Sequence, residues 1–468
     1  MKIVLTLIAE RDQKFFLKIA EKLSSHGHIV SFITFYSPST LPLRDLGFQV
    51  FDIQEALEFN NALGIDAQEA VNMAEDVYKI NINDLIRHEK ITFNISNEFR
   101  LKQKTCRYLS ELSIYLEAAK PDIVIQELGG FIAPLSLYYA SKKLSIRHIF
   151  LEPMFFKGTL GFLENELNYA VKRHKLSCES KLRVEGYINE YKSTKTVVIP
   201  QKDLHHFQDS TYKKIVNLAN LKRLTKKLWY KYIACKHQEY DAIFNHFKRN
   251  IEMVLNRQRL KGVYESLKKQ SPTEKFVYFP LHVPLDFQLT VRSPEWIDQI
   301  DLLEQISSFL PKDVYLWVKE HPASIGAYSR GRLSRLLGRG NFRLLDPSEN
   351  SYEIIARASA VITINSKVGA EALMQLKPVY VLGQAFYRSQ DLCYDVSDLN
   401  DLKNIIIDRI HAPVAPSYDR VIEFLGSLSM YSHVAELYIN TDENIDNFVS
   451  ALIKILDKQS GGVLNGAV

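Results

Sequence analysis

The sequence predicts an α/β fold with two units, each built on a parallel β-sheet. The chain opens with an apolar strand, an amphipathic helix and a second strand over residues 3–35, and a second α/β unit begins at Lys275. Within that unit, residues 361–383 (VITINSKVGAEALMQLKPVYVLG) have the pattern of a strand, a turn, a helix and another strand. This succession is the building block of a parallel sheet.

The turn in this last stretch predicts a binding site for an anion. Asn365 and Ser366 favour helix N-caps, and the first amides of the helix after them have no partner inside it. Such a helix N-terminus attracts negative charge. Glu371, one turn inside the helix, can accept hydrogen bonds from sugar or ribose hydroxyls of the same ligand. The alternative is an ordinary capped helix with Glu371 exposed to solvent.

The composition is that of a globular protein with room for two or three domains. Its 468 residues carry 59 Lys and Arg against 54 Asp and Glu, a net charge of +5. So mild an excess argues against nucleic acid as the main partner. The four cysteines are scattered, which predicts buried, reduced thiols rather than a zinc site or a disulfide framework.

The charged residues Glu10, Arg11 and Asp12 interrupt the apolar start of the chain, which argues against a signal peptide. No apolar run approaches the roughly 20 residues that span a bilayer. We therefore expect a cytoplasmic protein, and a peripheral contact with the cytoplasmic face of the inner membrane stays open. The same loop stands where a dinucleotide-binding fingerprint would have glycines. It meets a polar substrate or caps the helix that begins near Gln13.

Two carboxylates of the first half are predicted at the carboxyl ends of strands. After mostly helical residues 56–119, the pattern predicts a strand that ends at Glu127, a helix over 133–143 and a strand that ends at Glu152. Open α/β sheets bind their ligands at this edge, so each carboxylate is an acid/base candidate. Capping of the following segment is the alternative for both.

Residues 210–270 are predicted to be helical and are rich in Lys and Arg, interleaved with Leu and aromatic residues. A short strand over 197–199 precedes them. A basic amphipathic helix can lie on an anionic membrane, but we expect these lysines to form a solvated face. The predicted division of the chain is an N-terminal domain (1–205), a helical insertion (206–270), a C-terminal domain (271–440), a final helix (441–458) that packs back on the first domain, and a disordered tail (459–468).

Three loops of the second half follow predicted strands and should open on one edge of its sheet. They are HVPLD, which ends at Asp286, KEHP, which contains Lys319 and His321, and NSKVGAEAL, which starts at Asn365. This set suits the transfer of a group that leaves as a phosphate. The cations and helix amides stabilise the leaving charge, and the carboxylate attacks or stabilises an electron-poor carbon.

The segments FPLHVPLD, VKEHP, NSKVGAEALMQLKPV and GQAFY, in this order, resemble the bacterial capsule-polysaccharide synthesis family. That family includes retaining β-Kdo glycosyltransferases, which use CMP-activated 3-deoxy-manno-octulosonic acid (CMP-Kdo). FLEPMFFKG in the first half resembles a Glu-containing loop of the same group. The resemblance covers residues 276–387 well, the first half only at 127–157, and the insertion not at all. The His-Pro pair alone is also similar to bacterial sialyltransferases, which likewise use a CMP-sugar.

The resemblance implies a GT-B architecture, in which two Rossmann-like domains face each other across a cleft, with the donor on the second and the acceptor on the first. It implies that Asp286 is the nucleophile that forms a glycosyl–enzyme adduct. Glu152 would be the acid/base, with Glu127 as the other candidate. The residues implied to bind the CMP-sugar are His282, Arg292, Lys319, His321, Asn365, Ser366, Lys367 and Glu371.

Within this set, His321 and the turn at residues 365–366 would hold the phosphate, and Glu371 would lie near the ribose. Arg292 or Lys319 would pair with the carboxylate of the ulosonic acid, and the sequence does not choose between them. His282 departs from the family, since many relatives have Gln there. No Asp-x-Asp ends a predicted strand and CMP carries a single phosphate, so we predict an enzyme without a metal or other cofactor.

The leading hypothesis is therefore a retaining glycosyltransferase that moves Kdo, or a related ulosonic acid, from its CMP form to a glycan or glycolipid acceptor. The product would be a surface polysaccharide such as capsule, lipopolysaccharide or O-antigen. One alternative is a nucleotide-sugar epimerase of the same architecture, and another is a non-catalytic component of glycan assembly. Binding of CMP rather than UDP separates the first two, and tolerance of Asp286→Ala identifies the third.

Overall fold

The computed structural model describes residues 1–59, 67–195, 218–240, 243–269, 271 and 274–460, so the strand predicted at 197–199 lies outside the described residues, as does the tail from 461. The strands are β1 Lys2–Leu7, β2 Ile29–Thr34, β3 Gln49–Asp52, β4 Ile123–Glu127, β5 Arg147–Pro153, β6 Thr159–Glu164, β7 Lys275–Pro280, β8 Val314–Lys319, β9 Phe342–Leu345, β10 Ala360–Thr363, β11 Val379–Val381, β12 Tyr394–Asp395 and β13 His433–Val434. The helices are α1 Glu10–Ser25, α2 Thr40–Asp45, α3 Ile53–Phe59, α4 Ala67–Tyr78, α5 Ile82–Phe93, α6 Glu98–Ala119, α7 Ile132–Lys143, α8 Cys178–Thr194, α9 Leu218–Tyr232, α10 Ile243–Leu260, α11 Phe287–Thr290, α12 Gln299–Phe309, α13 Ser334–Leu337, α14 Ser351–Arg357, α15 Lys367–Met374, α16 Leu399–Arg409, α17 Tyr418–Ser429 and α18 Asp442–Ser460.

The second unit is built on a six-stranded sheet with the order β12-β11-β10-β7-β8-β9. Every neighbouring pair in it is parallel. Counted from β7, this is the 3-2-1-4-5-6 order of a Rossmann sheet, and it reverses between β7 and β10. Phe276 and Tyr278 pack into one hydrophobic cluster, whereas Val277 and Phe279 pack into another. The sheet is thus buried on both faces, which explains why its strands are continuous apolar runs.

The first unit has a seven-stranded sheet with the order β13-β6-β5-β4-β1-β2-β3. Strands β1 to β5 are parallel, and their order reverses between β1 and β4. The pairing of β5 with β6 is antiparallel, as is that of β6 with β13, and neither β6 nor β13 was predicted. Two Rossmann-like units, each with a reversal of strand order, confirm the predicted α/β fold and its GT-B architecture.

The end of the chain returns to the first unit. His433 and Val434 form β13, which pairs with β6 of the first sheet. The chain therefore returns to the first unit before residue 440, where the sequence predicted the end of the second domain. Helix α18 then packs beside α1, and Ile445 and Phe448 share a hydrophobic cluster with Ile3 of β1. The final helix therefore completes the core of the first unit.

The basic insertion contacts both units. Gln238, between α9 and α10, forms a β-bridge with Tyr36 just after β2. Near its start, α10 meets the end of α5, where Arg249 donates to the carbonyl of Thr92 at 3.4 Å. Near its end, Asn256 donates to the carbonyl of Gly326, in the loop after β8, at 3.1 Å. Helix α10 thus contacts the first unit near its start and the second unit near its end.

The structure bears on two expectations drawn from composition, the buried cysteines and the lack of a membrane-spanning segment. The thiols of Cys178 and Cys235 are exposed rather than buried, because both residues lie at the surface of the helical segments between the units. All four cysteines are unpaired. No helix in the described segments combines the length and the apolar character that crossing a bilayer requires.

Candidate functional site

The candidate site lies where the order of the second sheet reverses. His282 follows β7, His321 follows β8 and Asn365 follows β10, so all three stand at the carboxyl edge of the sheet. The imidazoles of His282 and His321 are close enough to interact electrostatically, and the backbone N–H of Asn365 donates to Nε2 of His282 at 3.5 Å. The structure therefore brings together the loops that sequence analysis placed on one edge.

His282 is a fixed, neutral imidazole. Burial, together with the neighbouring His321, lowers the pKa of His282 to about 3. The amide side chain of Gln299 holds its backbone on both sides, accepting from the His282 amide at 2.8 Å and donating to its carbonyl at 3.2 Å. Since Nε2 accepts a hydrogen bond, the single ring proton is on Nδ1.

His321 begins the short turn Pro322–Ser324, and its Nδ1 accepts from the amide of Ala323 at 3.1 Å. In the neutral ring this leaves the proton on Nε2, which then acts as a donor. The His-Pro pair therefore fixes which nitrogen donates, because the proline shapes the turn whose amide occupies the other one.

The start of α15 is tightly built. Ser366 is its N-cap and accepts from the amide of Val368 at 3.2 Å. The hydroxyl of Tyr387 donates to the Ser366 carbonyl at 2.8 Å. A Cβ on Gly369 would lie 2.1 Å from that hydroxyl oxygen, so glycine is required there. Tyr387 ends the GQAFY segment, and this contact is its structural role.

Glu371 is buried, which excludes the exposed alternative. Its side chain lies at 1% exposure, and burial raises its pKa to about 8, against the opposing effect of Lys319 and Lys367. Burial likewise lowers the pKa of Lys319 to about 8. Lys319 donates to the carbonyl of Glu349 at 2.6 Å and to the hydroxyl of Ser351 at 2.9 Å.

Two buried oxygens at this site have no hydrogen-bond partner among the described residues. They are Oδ1 of Asn365 and Oε2 of Glu371. Most buried polar atoms in folded proteins are paired, so two unpaired ones beside a helix N-terminus indicate a place for a polar ligand. Both residues belong to the stretch that sequence analysis took as an anion site.

Glu152 is held by Arg292 across the boundary between the two units. Glu152 lies one residue before the end of β5, and its two oxygens each accept from the guanidinium at 2.7 Å. Burial is the largest single effect and lowers the pKa of Arg292, but Glu152, together with Tyr169 and Asp286, raises it, and the net shift is upward. The same guanidinium donates to the carbonyl of Leu167 at 2.7 Å. Arg292 is therefore engaged by groups of the first unit.

Asp286 lies in the same region. It is the N-cap of α11 and is half-buried, and Arg292 interacts with it electrostatically. Gln288, two residues later, donates to Glu152 at 3.5 Å. On the other side of α11, the hydroxyl of Thr290 lies 2.6 Å from Nδ1 of His88 in α5. Helix α11, which begins directly after Asp286, thus packs against the first unit next to Glu152.

Lys367 ties the two halves of the site together. Its ammonium donates to the carbonyls of Met154 at 2.8 Å and Pro153 at 3.3 Å, just beyond Glu152. The first turn of α15 therefore lies against the end of β5. The sequence did not predict this contact, because no local pattern records how two separate units meet.

Glu127 occupies a different place, where the order of the first sheet reverses. Arg11 donates to it at 3.0 Å, and the hydroxyl of Tyr438 donates to the same oxygen. Asp12 caps the start of α1 by accepting from the backbone amides of Ile8 and Ala9, which is the capping role that the sequence offered for the loop after β1. Burial, followed by Glu127, raises the pKa of Asp12 to about 6.

Tyrosines that sequence analysis did not select complete this second cluster. Tyr240 of the insertion interacts with Glu127 and packs on Phe131 with ring centroids 4.7 Å apart. Tyr438 comes from the returning C-terminal segment. Neither could be found from the sequence, because each is brought to the first sheet by a distant part of the chain.

Comparison with known proteins supports the resemblance inferred above. The family model described as "Capsule polysaccharide biosynthesis protein" matches residues 181–404, just under half of the chain. Protein FixF of Sinorhizobium fredii is 32% identical over 131 residues, which are 27% of this chain and 31% of that protein. Capsule polysaccharide export protein KpsS of Escherichia coli is 35% identical over 98 residues, 20% of this chain and 25% of that protein. The chain thus spans a third or less of the curated relatives it matches.

Among solved structures, the chain is similar to Thermosulfurimonas dismutans KpsC, beta Kdo 2,4 transferase, with 13% identity and a TM-score of 0.40. The superposition covers 71% of this chain and 87% of that one. At this level the likeness says nothing of activity. The family match confirms the predicted resemblance: residues 181–404, which hold Asp286, His321 and Asn365, match the model of the capsule polysaccharide biosynthesis family.

Proposed function

We propose that the protein is a retaining glycosyltransferase that moves Kdo, or a related ulosonic acid, from its CMP form to a capsule-type glycan or glycolipid acceptor. One observation carries the proposal. The anion-binding set after β7, β8 and β10 lies on the second unit, next to Asp286, and meets Glu152 of the first unit through Arg292. The proposed donor site and the proposed acid/base group would thus face each other where the two units touch.

The phosphate of the donor would be bound by neutral hydrogen-bond donors rather than by fully charged side chains. The Nε2–H of His321 and the N-terminus of α15 are donors of this kind, and neutral His282 fixes the backbone of Asn365 between them. As the bond from the sugar to the phosphate breaks, these donors stabilise the CMP that leaves. A monophosphate leaving group makes a metal clamp unnecessary, so we propose metal-independent transfer.

The sugar would be carried through a covalent intermediate on Asp286. Its carboxylate attacks the anomeric carbon as the bond to CMP breaks, which inverts that centre once. The acceptor hydroxyl then attacks the same carbon, loses its proton to Glu152 and releases Asp286, which inverts the centre again. Two inversions give net retention.

Arg292 would connect the two steps. Both oxygens of Glu152 accept hydrogen bonds from its guanidinium, so this ion pair must open before Glu152 can turn towards the acceptor. A ulosonic acid carries its own carboxylate, which competes for the same guanidinium. We propose that the bound donor draws Arg292 away and thereby frees Glu152. Lys319 is the weaker candidate for this carboxylate, because a carbonyl and a hydroxyl already occupy it.

Glu152 is proposed as the base in preference to Glu127 for a geometric reason. Gln288 links Glu152 to the helix that Asp286 caps, whereas Glu127 lies in the separate cluster with Arg11 and Tyr438. The contrasting variants are Glu152→Gln and Glu127→Gln. The proposal predicts that Glu152→Gln abolishes transfer but keeps donor binding, and that Glu127→Gln retains measurable transfer.

The proposal is tested by titrating the protein with CMP and with UDP in a calorimeter, and by assaying CMP release from CMP-Kdo in the presence of a Kdo-terminated acceptor. Preference for CMP and acceptor-dependent release, both at full rate in excess chelator, support it. Preference for UDP would favour the epimerase alternative. If Asp286→Ala kept full transfer, the covalent mechanism would be wrong.

A further inference from the structure

The surface of the basic insertion carries apolar side chains as well as lysines. Trp229, Tyr232 and Ile233, at the end of α9, are 52%, 59% and 71% exposed. Phe244 and Phe247, at the start of α10, are 66% and 46% exposed. The spacing within each group is that of one helix face. Each group lies on one side of its own helix, and we call the two groups together, four aromatic residues and Ile233, the aromatic face.

The charge around the aromatic face is concentrated in the same segment. Residues 218–260 contain ten Lys and Arg and three Asp and Glu, a net charge of +7. The whole chain has a net charge of +5, so the remainder is at −2. The net positive charge of the protein therefore comes from this segment, and five of its lysines are exposed: Lys222, Lys226, Lys227, Lys236 and Lys248.

The segment is fixed in place between the two helices. Glu239 is buried, and Lys104 of α6 donates to it at 2.8 Å and to Glu89 of α5 at 2.9 Å. The amide of Glu239 donates to the carbonyl of Phe35, at the end of β2. This anchor ties the segment between α9 and α10 to the first unit.

We propose that the aromatic face of the insertion docks on an anionic lipid bilayer and holds the first unit at the membrane surface. Amphipathic helices with aromatic residues on the apolar face and lysines around it lie in the headgroup region of such bilayers. The positive charge selects an anionic surface, and the aromatic rings enter the interface. The sequence alone favoured a solvated face, since it could not show that the apolar side is exposed as well. This docking is independent of the transfer reaction.

The test is sedimentation of the full chain with sucrose-loaded vesicles of phosphatidylethanolamine and phosphatidylglycerol, and with vesicles of phosphatidylcholine alone. No donor or acceptor is present, so failure of the glycosyltransferase proposal does not affect the outcome. The wild type is expected to pellet with the anionic vesicles only, and to be released as the salt rises from about 0.1 M towards 1 M. Equal sedimentation with both vesicle types, or with neither, would overturn the proposal.

Two variants separate the apolar contribution from the electrostatic one. Trp229→Ser with Phe247→Ser is expected to lower the partition coefficient at least about tenfold, from the loss of two buried rings. Replacing Lys222, Lys236 and Lys248 by Gln is expected to lower the partition coefficient by about fivefold per lysine. The matched control is Leu182→Ser with Ile407→Ser, which removes side chains that are 67% and 54% exposed elsewhere and should leave binding unchanged.

Self-association is the competing use of the same face. Light scattering after gel filtration of the wild type and of the Trp229→Ser, Phe247→Ser variant measures it directly. A monomeric wild type that binds anionic vesicles supports the proposal. A dimer that this variant dissociates, combined with no vesicle binding, would show that the face contacts a second copy of the chain and would overturn it.

Discussion

Replacing Arg292 by leucine is expected to destabilise the protein by about 3–5 kcal/mol, because it leaves a carboxylate without its cation at the boundary between the units. The side chains of Arg292 and Glu152 are 5% and 14% exposed. Two charge-assisted hydrogen bonds of 2.7 Å join them, and the guanidinium also satisfies the carbonyl of Leu167. Little water reaches these groups, so the lost hydrogen bonds are poorly replaced.

The size of the effect should depend on which partner is removed. Glu152→Gln retains one acceptor oxygen for the guanidinium and is expected to cost about 1–3 kcal/mol. The double variant, with leucine at both positions, should cost less than Arg292→Leu alone, because it leaves no unpaired charge behind. The three variants and the wild type form a double-mutant cycle.

Urea-induced unfolding followed by tryptophan fluorescence measures these differences. Scanning calorimetry accompanies it, because a chain with two units need not unfold in one step and the pair joins them. A cost of less than about 1 kcal/mol for Arg292→Leu, or a double variant that costs the sum of the two single ones, would refute a buried ion pair of this strength.

Three further predictions follow from the site. Burial raises the pKa of Glu371 to about 8, from about 4.3 in the unfolded chain. The contribution of Glu371 to stability is therefore full below about pH 4 and is lost as the pH rises towards 8, by up to about 1.4 kcal/mol per pH unit. Glu371→Gln should flatten the curve of unfolding free energy against pH between pH 5 and 8, whereas Glu295→Gln, at an exposed position, should not. Gly369→Ala is expected to displace Tyr387 from Ser366 and to weaken CMP binding at least about tenfold in a calorimetric titration. Tyr387→Phe loses only one hydrogen bond, of about 1 kcal/mol, and should weaken CMP binding less. Equal effects of the two variants would contradict this account. Transfer should continue at full rate in excess chelator, and activity that disappears and returns with magnesium would refute metal independence.

Local patterns were sufficient for five of the six strands of the second sheet and for the loops at its edge, but not for the two-residue β12. The apolar runs, the caps and the His-Pro turn are set by neighbours in the sequence, and His321, Asn365 and Ser366 lie where those patterns predict. Glu371 shows what local patterns leave undetermined. Its position one turn into α15 was predictable, but its burial depends on the side chains that pack over the helix from elsewhere in the chain.

The contacts between units could not be predicted in this way. Nothing near Glu152 in the sequence indicates that Arg292, from the other unit, takes both of its oxygens, or that a short β6 pairs back on its strand. The same is true of Tyr240 and Tyr438 around Glu127. These residues are brought together by tertiary packing, which leaves no periodic signal.

The proposed roles of Asp286 and the donor site are tested most directly by intact-protein mass spectrometry. The protein is incubated with CMP-Kdo, generated in situ, without acceptor, and wild type is compared with Asp286→Ala. The account predicts an added mass of one Kdo on the wild type and none on the variant, with both proteins folded. An adduct on both proteins, or none on a wild type that still binds CMP and transfers Kdo, would contradict the double displacement through Asp286.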